Sequence, residues 1–356
     1  MKKKRKAKPL LFILVFLALI LIGIGVCWMI LSSPVDKNDT NDISFVIESG
    51  MTSTEIGKSL KSNNLIKNEL LFKIYLKVNN VSSLKASTYN LKRSMSLKEI
   101  VDMLESGNSY NPDEIKITFK DGLRITDYAK VISDETNLDY DDVIKTFEDF
   151  DYAKKLVSEY WFLSDDILDS NIYYPLEGYL APDTYHFANK DVSLDTIIHT
   201  LLDEMSNVLD EYKSKIEGNV HYYITMASLV ELEGTNLENR KMIAGVFENR
   251  LASGMNLGSD VTTYYALQKA MTSDLTSSEF ATVNPYNTRG ANMIGKMPIG
   301  PICSVLKDSI DAAVNPTKSD YLFFVADKNG KIYYTKTNAE HEKKVQEIKA
   351  NGDWIW

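Results

Sequence analysis

The sequence predicts an α+β protein: one N-terminal transmembrane helix, a small α/β module beyond it, and a C-terminal mixed α/β region with a terminal β-hairpin. Three features predict this. An uncharged run from Leu10 to Leu31 follows six basic residues. A strand, turn and helix pattern at 43–62 recurs at 115–133. Two apolar strand runs flank Asn329-Gly330 near the C-terminus.

The apolar run is long enough to cross about 30 Å of hydrocarbon. A cleaved signal peptide has an apolar stretch of only about 7 to 15 residues ending at a small-x-small site. Here Cys27, Trp28, Met29, Ile30 and Leu31 continue the run, which favours an uncleaved anchor over 9–31, behind a basic segment at 1–8. Val26 stands where lipid modification of Cys27 would want a small residue. By the positive-inside rule, Lys2, Lys3, Lys4, Arg5, Lys6 and Lys8 place the N-terminus in the cytoplasm and everything beyond the span outside it. The expected location is therefore the cell membrane, with a single pass.

Setting those six aside leaves 34 Lys and Arg against 49 Asp and Glu, a net charge of about −15 on the exported part. Nucleic-acid binding wants clustered Lys and Arg and is excluded as a function class. Cys27 and Cys303 are the only cysteines, so neither a disulfide framework nor a Cys-based metal site is expected.

Residues 32–42 read as a polar linker, and 43–108 as the small module. "ISFVIESGMTSTEIGKSLKS" reads as a strand, a turn at Gly50, a hydroxyl cap and an amphipathic helix. "IKITFKDGLRITDYAKVIS" repeats the plan, Gly122 matching Gly50, Thr126 matching Thr54 and Asp127 matching Glu55, and "SMSLKEIVDML" is a shorter echo. Such units suit either a recognition module or a spacer between enzyme and bilayer. Residues 109–216 form a connecting α/β region, mainly helical from 140 on, interrupted by "YYPLEGYLAPDTYHF" at 173–187. Its four tyrosines suit either sugar stacking or pinning of the loop onto the core. In the last region, 217–356, the Asn-Gly pair favours the φ > 0 turn of a hairpin, and a charged helix follows from Ala339 to Ala350.

"HYYITMASLVELEG" has helical length and carries two acids, Glu231 and Glu233. Met226, Leu229, Val230, Glu233 and Leu237 fall on one stripe by i, i+3, i+4 and i+7 spacing, whereas Glu231 is rotated by about 200° from Glu233. A glutamate on an apolar stripe loses hydration, which raises its pKa and suits it to general-acid work. The competing readings are a buried glutamate paired with Arg240 or Arg250 and a glutamate at the exposed edge of the stripe.

"MASLVELEGTNLENRKMIAGVFENRLASGMNLGSDVTTYYAL", Met226 to Leu267, resembles the signature region of the endolytic murein transglycosylases, the YceG-like (MltG) family. Further matches are "LEGYLAPDTYHF" at 176–187, "NPYNT" at 284–288, "MPIGPI" at 297–302, "AAVNP" at 312–316 and "YLFFVAD" at 321–327. The resemblance implies a LysM-like module at 43–108 and a catalytic region at 217–356. It implies cleavage of the β-1,4 bond between N-acetylmuramic acid and N-acetylglucosamine within nascent peptidoglycan glycan strands, leaving 1,6-anhydro ends, beside the cell-wall synthases (penicillin-binding proteins). It implies no cofactor and no metal. The family's catalytic acid is the second of a Glu-x-Glu pattern, which falls on Glu233. A glycoside hydrolase needs two carboxylates; a lytic transglycosylase works with one, because the muramyl C6 hydroxyl replaces water. Ser259, Asp260, Tyr286 and Asn287 are candidates to line the saccharide cleft, followed by Glu177, Asp183 and Tyr185. Leu232, Gly234, Val261 and Arg289 depart from the family pattern, and His341 matches a family position but reads as a surface group beside "EKK".

Two rivals stand beside this reading. S-x-x-K occurs at Ser304–Lys307 and again at Ser82–Lys85, but neither S-D-N nor K-T-G of the penicillin-binding enzymes is present. A non-catalytic, membrane-tethered peptidoglycan-binding scaffold predicts glycan binding without any requirement for Glu233.

Overall fold

The computed structural model describes residues 23, 25, 28–48, 51–81, 84–107 and 114–354. It is a mixed α+β protein whose chain divides between Glu114 and Ile115 into two compact units. Most of the predicted span at 9–31, the Gly50 turn and Ser82 lie outside the described residues; among those that are described, no helix is long and apolar enough to cross a membrane.

In the first unit, β1 (Asp42–Ile47) pairs antiparallel with β2 (Ser87–Lys92), Phe45 opposite Tyr89 and Ile47 opposite Ser87. Between them run α1 (Ser53–Ser62) and α2 (Glu69–Val78), and α3 (Leu97–Ser106) follows. Alternation decides the strands: Phe45 and Ile47 on β1 and Tyr89 and Leu91 on β2 point into the core, against Ile56, Leu60, Phe72, Ile100 and Leu104 from the helices. Local hydrogen bonds start each helix. Thr52 with Glu55, and Ser96 with Glu99, form reciprocal capping boxes, and Asn68 Oδ1 accepts from Leu71 N. The predicted strand–cap–helix plan therefore holds at 42–62, and the echo at Ser94 is a capped helix.

The second unit opens with β3 (Ile115–Thr118), paired antiparallel with β4 (Thr184–Phe187), so "TYHF" is a strand where an irregular loop was expected. Its partner lies 66 residues away, as the Thr118–Thr184 hydroxyl contact shows. Between them lie α4 (Ile125–Glu135), α5 (Tyr140–Phe147) and α6 (Phe150–Glu159); α7 (Leu194–Asp210) follows. The repeat is imperfect here: the cap position of α4 is Arg124, not a hydroxyl, and only its N–H is met, by Asp127 Oδ2.

The rest of the unit centres on α8 (Val220–Glu233), α9 (Leu237–Ala252), α10 (Asp260–Ala266) and α11 (Lys307–Val314). Helices α8 and α9 pack on each other and both pack on α11. The predicted hairpin is present as β5 (Phe323–Ala326) and β6 (Ile332–Thr335), Gly330 taking φ +77°. Asp327 fixes its turn by accepting from Asn329 N, Lys331 N and the Tyr333 hydroxyl. The charged α12 (Asn338–Ala350) packs against both strands.

Gly245, in the middle of α9, looks like a weak helix residue. A Cβ there would lie 2.1 Å from the Thr317 carbonyl oxygen, so its absence lets the segment after α11 lie directly on α9, where Thr317 N also donates to Lys241 O. Gly245→Ala should therefore destabilise the protein by about 1 to 3 kcal/mol through overpacking. An exposed helical glycine would instead gain up to about 1 kcal/mol. Chemical denaturation of the two proteins decides the sign.

Candidate functional site

Helix α8 ends at Glu233, short of the stripe expected to run on to Leu237. Gly234 is the C-cap, with extended backbone, and Leu237 belongs to the next helix. Nor has α8 a single apolar face: Met226, Ala227, Leu229, Val230 and Glu231 are all buried. Their partners, not the stripe, tell the two acids apart.

Glu231 is fully engaged. Its Oε1 accepts from Arg240 Nη2 at 2.5 Å, and its Oε2 accepts from Leu306 N at 2.9 Å, at the start of α11. Burial pushes its pKa up, while Leu306 N–H, the Ser309 hydroxyl and Arg240 pull it down. Arg240 also donates from Nε to Gly234 O. This accounts for Gly234: a Cβ there would lie 2.6 Å from Arg240 Cγ and 3.0 Å from its backbone N. As a C-cap the glycine costs the helix interior nothing. Leu232 packs toward the β3–α4 turn, where a Cβ on Gly122 would meet its Cδ2 at 3.3 Å.

Glu233 retains some solvent access, and its Oε1 accepts from Ser259 Oγ at 2.6 Å. Among the described residues no donor reaches Oε2. Burial raises its pKa; the Ser259 hydroxyl lowers it, Asp260 raises it, and Arg289 and Arg250 lower it. Ser259 occupies the N-cap position of α10 without capping it, because its hydroxyl is turned to Glu233. Its position is set from below: Ser259 N donates to Thr288 Oγ1, Thr262 Oγ1 donates to Ser259 O, and Thr288 N donates to Thr262 Oγ1. Val261 sits in the first turn of α10, where a backbone N–H has no partner within the helix.

Asp260 is half-buried beside this pair and is ion-paired with Arg289 Nε, whose guanidinium lies 5.0 Å from the Phe280 ring centroid. Arg250 is held by the carbonyls of Leu257 and Leu322 and lies over Phe323 at 5.3 Å. His341 is not the surface group its neighbours suggest. It stacks on the same Phe323 ring at 5.4 Å, and burial and Arg250 lower its pKa.

The structure brings Glu233, Ser259 and Asp260 together and puts the other candidates elsewhere. Tyr286 is fully buried between the rings of Tyr173 and Tyr265, at 5.0 and 4.8 Å. Asn287 is fully buried too, accepting from the Thr263 hydroxyl and donating to the Phe280 and Thr282 carbonyls. Both hold the loop before Thr288 and present no side chain to a cleft. Glu177 accepts from Ile125 N, at the start of α4, and from the Tyr265 hydroxyl; burial raises its pKa to about 8. Asp183 caps its neighbour Thr184 N, and the Tyr185 hydroxyl donates to Ala181 O, both at the β3–β4 sheet. Of the tyrosines at 173–187, Tyr179 is fully buried and bonded to His221, the pinning arrangement rather than a sugar platform. The residues that the sequence reading did not assign to the site are Thr262, Thr288 and Arg250; the Thr-Thr spacing in "SDVTTYYAL" and the "NPYNT" motif hinted at the two threonines, and Arg250 was weighed only as the partner of a buried glutamate.

The rival S-x-x-K site is not assembled. Ser304 Oγ donates to Lys120 O, whereas Lys307 reaches out to Glu211.

The family model described as YceG-like matches residues 45–347. A protein of Bacillus subtilis (strain 168) named endolytic murein transglycosylase is 37% identical over 317 residues, covering 88% of this chain and 86% of that one. A protein of the same name from Streptococcus pneumoniae (strain D39) is 33% identical over 356 residues, covering 94% of this chain and 64% of that one. A solved structure of a yceG-like protein from Listeria monocytogenes matches with a TM-score of 0.61 at 35% identity, covering 85% of this chain and 99% of that one.

Glu231→Ala leaves Arg240 buried without its partner and should cost about 3 to 5 kcal/mol. Glu231→Leu with Arg240→Met should recover most of that in denaturant titrations. Glu177 titrates near 8 when folded, above its unfolded value of about 4.3. Its contribution is therefore full below about pH 4.3 and is lost as pH rises through 8. Glu177→Gln keeps an acceptor for Ile125 N and should flatten that fall in melting temperature measured across pH 5 to about 8.

Proposed function

The chain belongs to the YceG-like family, and from that premise we propose that it is a membrane-anchored endolytic lytic transglycosylase of nascent peptidoglycan. The observation that carries this reading is the unequal treatment of the two acids at the end of α8. Glu231 is locked by Arg240 and Leu306 N–H, while Glu233 has a raised pKa, one bond from Ser259 on Oε1 and, among the described residues, no donor on Oε2.

In the proposed reaction a muramyl residue lies with its glycosidic oxygen at Glu233 Oε2. The protonated carboxyl gives its proton to that oxygen as the bond to C1 breaks. The resulting carboxylate is stabilised by the Ser259 hydroxyl and by the nearby charges of Arg289 and Arg250. It then takes the proton of the muramyl C6 hydroxyl as O6 closes on C1, giving the 1,6-anhydro end and restoring the acid. A single carboxyl thus gives and recovers one proton, and no second acid is required. Asp260 and Arg289 sit where they can meet the sugar's polar substituents. The uncharged run at 10–31 supports an anchor with the folded units outside the cytoplasm, close to the synthases that make the strand; the strand–helix–helix–strand order of the first unit supports its LysM-like reading.

Incubating the protein with uncrosslinked glycan strands should give products that mass spectrometry finds one water lighter than hydrolytic ends. Glu233→Gln should lower the rate by about 10² to 10⁴-fold. Reducing ends would mean hydrolysis, and glycan bound but uncut by either protein would favour the scaffold. Because the acid must be protonated at the outset, activity should fall as pH rises through the Glu233 pKa. Ser259→Ala removes a bond that favours the carboxylate, so it should lower kcat and move that alkaline limb to higher pH.

A further inference from the structure

Helix α2 carries an unusual outer face. Leu70, Ile74 and Val78 are 66%, 41% and 65% exposed, and at 100° per residue they form one continuous stripe. Isolated exposed apolar residues need no explanation, but an apolar row along a helix marks an interaction surface. Lys73 and Lys77 lie along one edge of the stripe, Lys73 also pairing with Glu69. Along the other edge lies Tyr75, and its ring stacks on Trp28 at 6.1 Å.

Trp28 identifies what lies beyond that edge. It falls within the uncharged run, three residues before its end, and Met29 and Ile30 beside it are exposed. Lys67, just before α2, donates to Ser33 Oγ and to Ile30 O. The start of α2 thus meets the outer end of the run, and Tyr75, two turns on, meets a residue deeper within it. Helix α2 runs toward the bilayer, with Val78 at its inner end. Charge agrees: residues 33–107 hold ten Lys and Arg against nine Asp and Glu, whereas 108–356 hold 24 against 40. The part next to the anchor has lost the acidity that would repel an anionic surface.

We infer that the first unit docks on anionic phospholipid through α2, Leu70, Ile74 and Val78 entering the lipid interface while Lys73 and Lys77 meet headgroup phosphates. This rests on the membrane-anchor reading above. Aromatic rings at the interface and lysines beside an apolar stripe are the features of a helix that lies at a membrane surface. The anchor then tethers the unit, and α2 fixes its orientation.

The test uses the full chain with Cys27→Ala and Cys303→Ser, reconstituted in phosphatidylglycerol–phosphatidylcholine vesicles. Spin labels are placed through Leu70→Cys, Ile74→Cys and Val78→Cys, one at a time. Collision with oxygen, which concentrates in lipid, is compared with collision with a water-soluble nickel chelate. The oxygen-to-chelate ratio should exceed that of a label at the exposed Val283 several-fold and increase from Leu70 to Val78. Lys73→Glu with Lys77→Glu should reduce it. A ratio at all three sites equal to that at Val283, in protein that still floats with the vesicles at alkaline pH, overturns the docking alone. Loss of the chain from the vesicles at alkaline pH overturns the anchor itself. Equal immersion in phosphatidylcholine alone overturns the anionic-headgroup assignment. Lipid-independent dipolar broadening between labels would assign the face to a second copy instead.

Discussion

The second unit is organised around the Glu231–Arg240 ion pair. Burying two charges is costly, and the pair persists because its remaining hydrogen-bonding capacity is also met: Leu306 N–H on the acid, Gly234 O on the guanidinium. Those four residues come from the end of α8, the turn after it, the start of α9 and the start of α11. A contact that joins three helix ends fixes their mutual angles, so the last turn of α8 has one position. Glu233 is two residues from the pair on that turn. Any change in how α9 meets α8 would move it relative to Ser259.

The other side of Glu233 is set by neutral groups. Ser259, Thr262 and Thr288 form a buried network in which hydroxyls and backbone amides satisfy one another, and Asn287 holds the next hydroxyl along, that of Thr263. Such networks hold geometry well because each lost bond strands a buried polar group. The cost is visible at α10, where the N-cap hydroxyl serves Glu233 instead of the helix. A missing cap is worth about 1 kcal/mol. Local stability has been traded for a donor at a fixed place beside the proposed acid.

What the sequence made legible was local. The hairpin at Asn329-Gly330, the hydroxyl cap before the helix at 53–62 and the amphipathic helices depend on neighbours a few residues away, and all are present. The β3–β4 pairing was not legible, because 66 residues separate the strands and "TYHF" is only four residues long. Glu233 was singled out for a reason the structure does not uphold: the stripe ran through Gly234 into Leu237, across a helix end that the glycine itself signals. Tyr286 and Asn287 looked like chemistry because polar and aromatic residues in an irregular motif usually are exposed. Here both are buried, Asn287 to bond the Phe280 and Thr282 carbonyls and Tyr286 to pack between two tyrosine rings, and nothing in a motif distinguishes such uses from exposure. His341 illustrates the converse: charged neighbours suggested a surface, and an aromatic partner from β5 covers it.

The charges around Glu233 follow from the same division of labour. Burial alone would keep the carboxyl protonated so strongly that it could give up its proton only reluctantly. Ser259 and the two arginines oppose burial, and Asp260 opposes the arginines. Arg289, at a position where the family often has an aromatic residue, is tied to Asp260, whose charge acts on Glu233 in the opposite sense; Arg250 is held by the carbonyls of Leu257 and Leu322. The result is an acid whose two protonation states are brought closer in energy by one hydroxyl that touches it and by charges that do not. A residue that must first donate a proton and then accept one needs that balance, because lowering either barrier alone would raise the other.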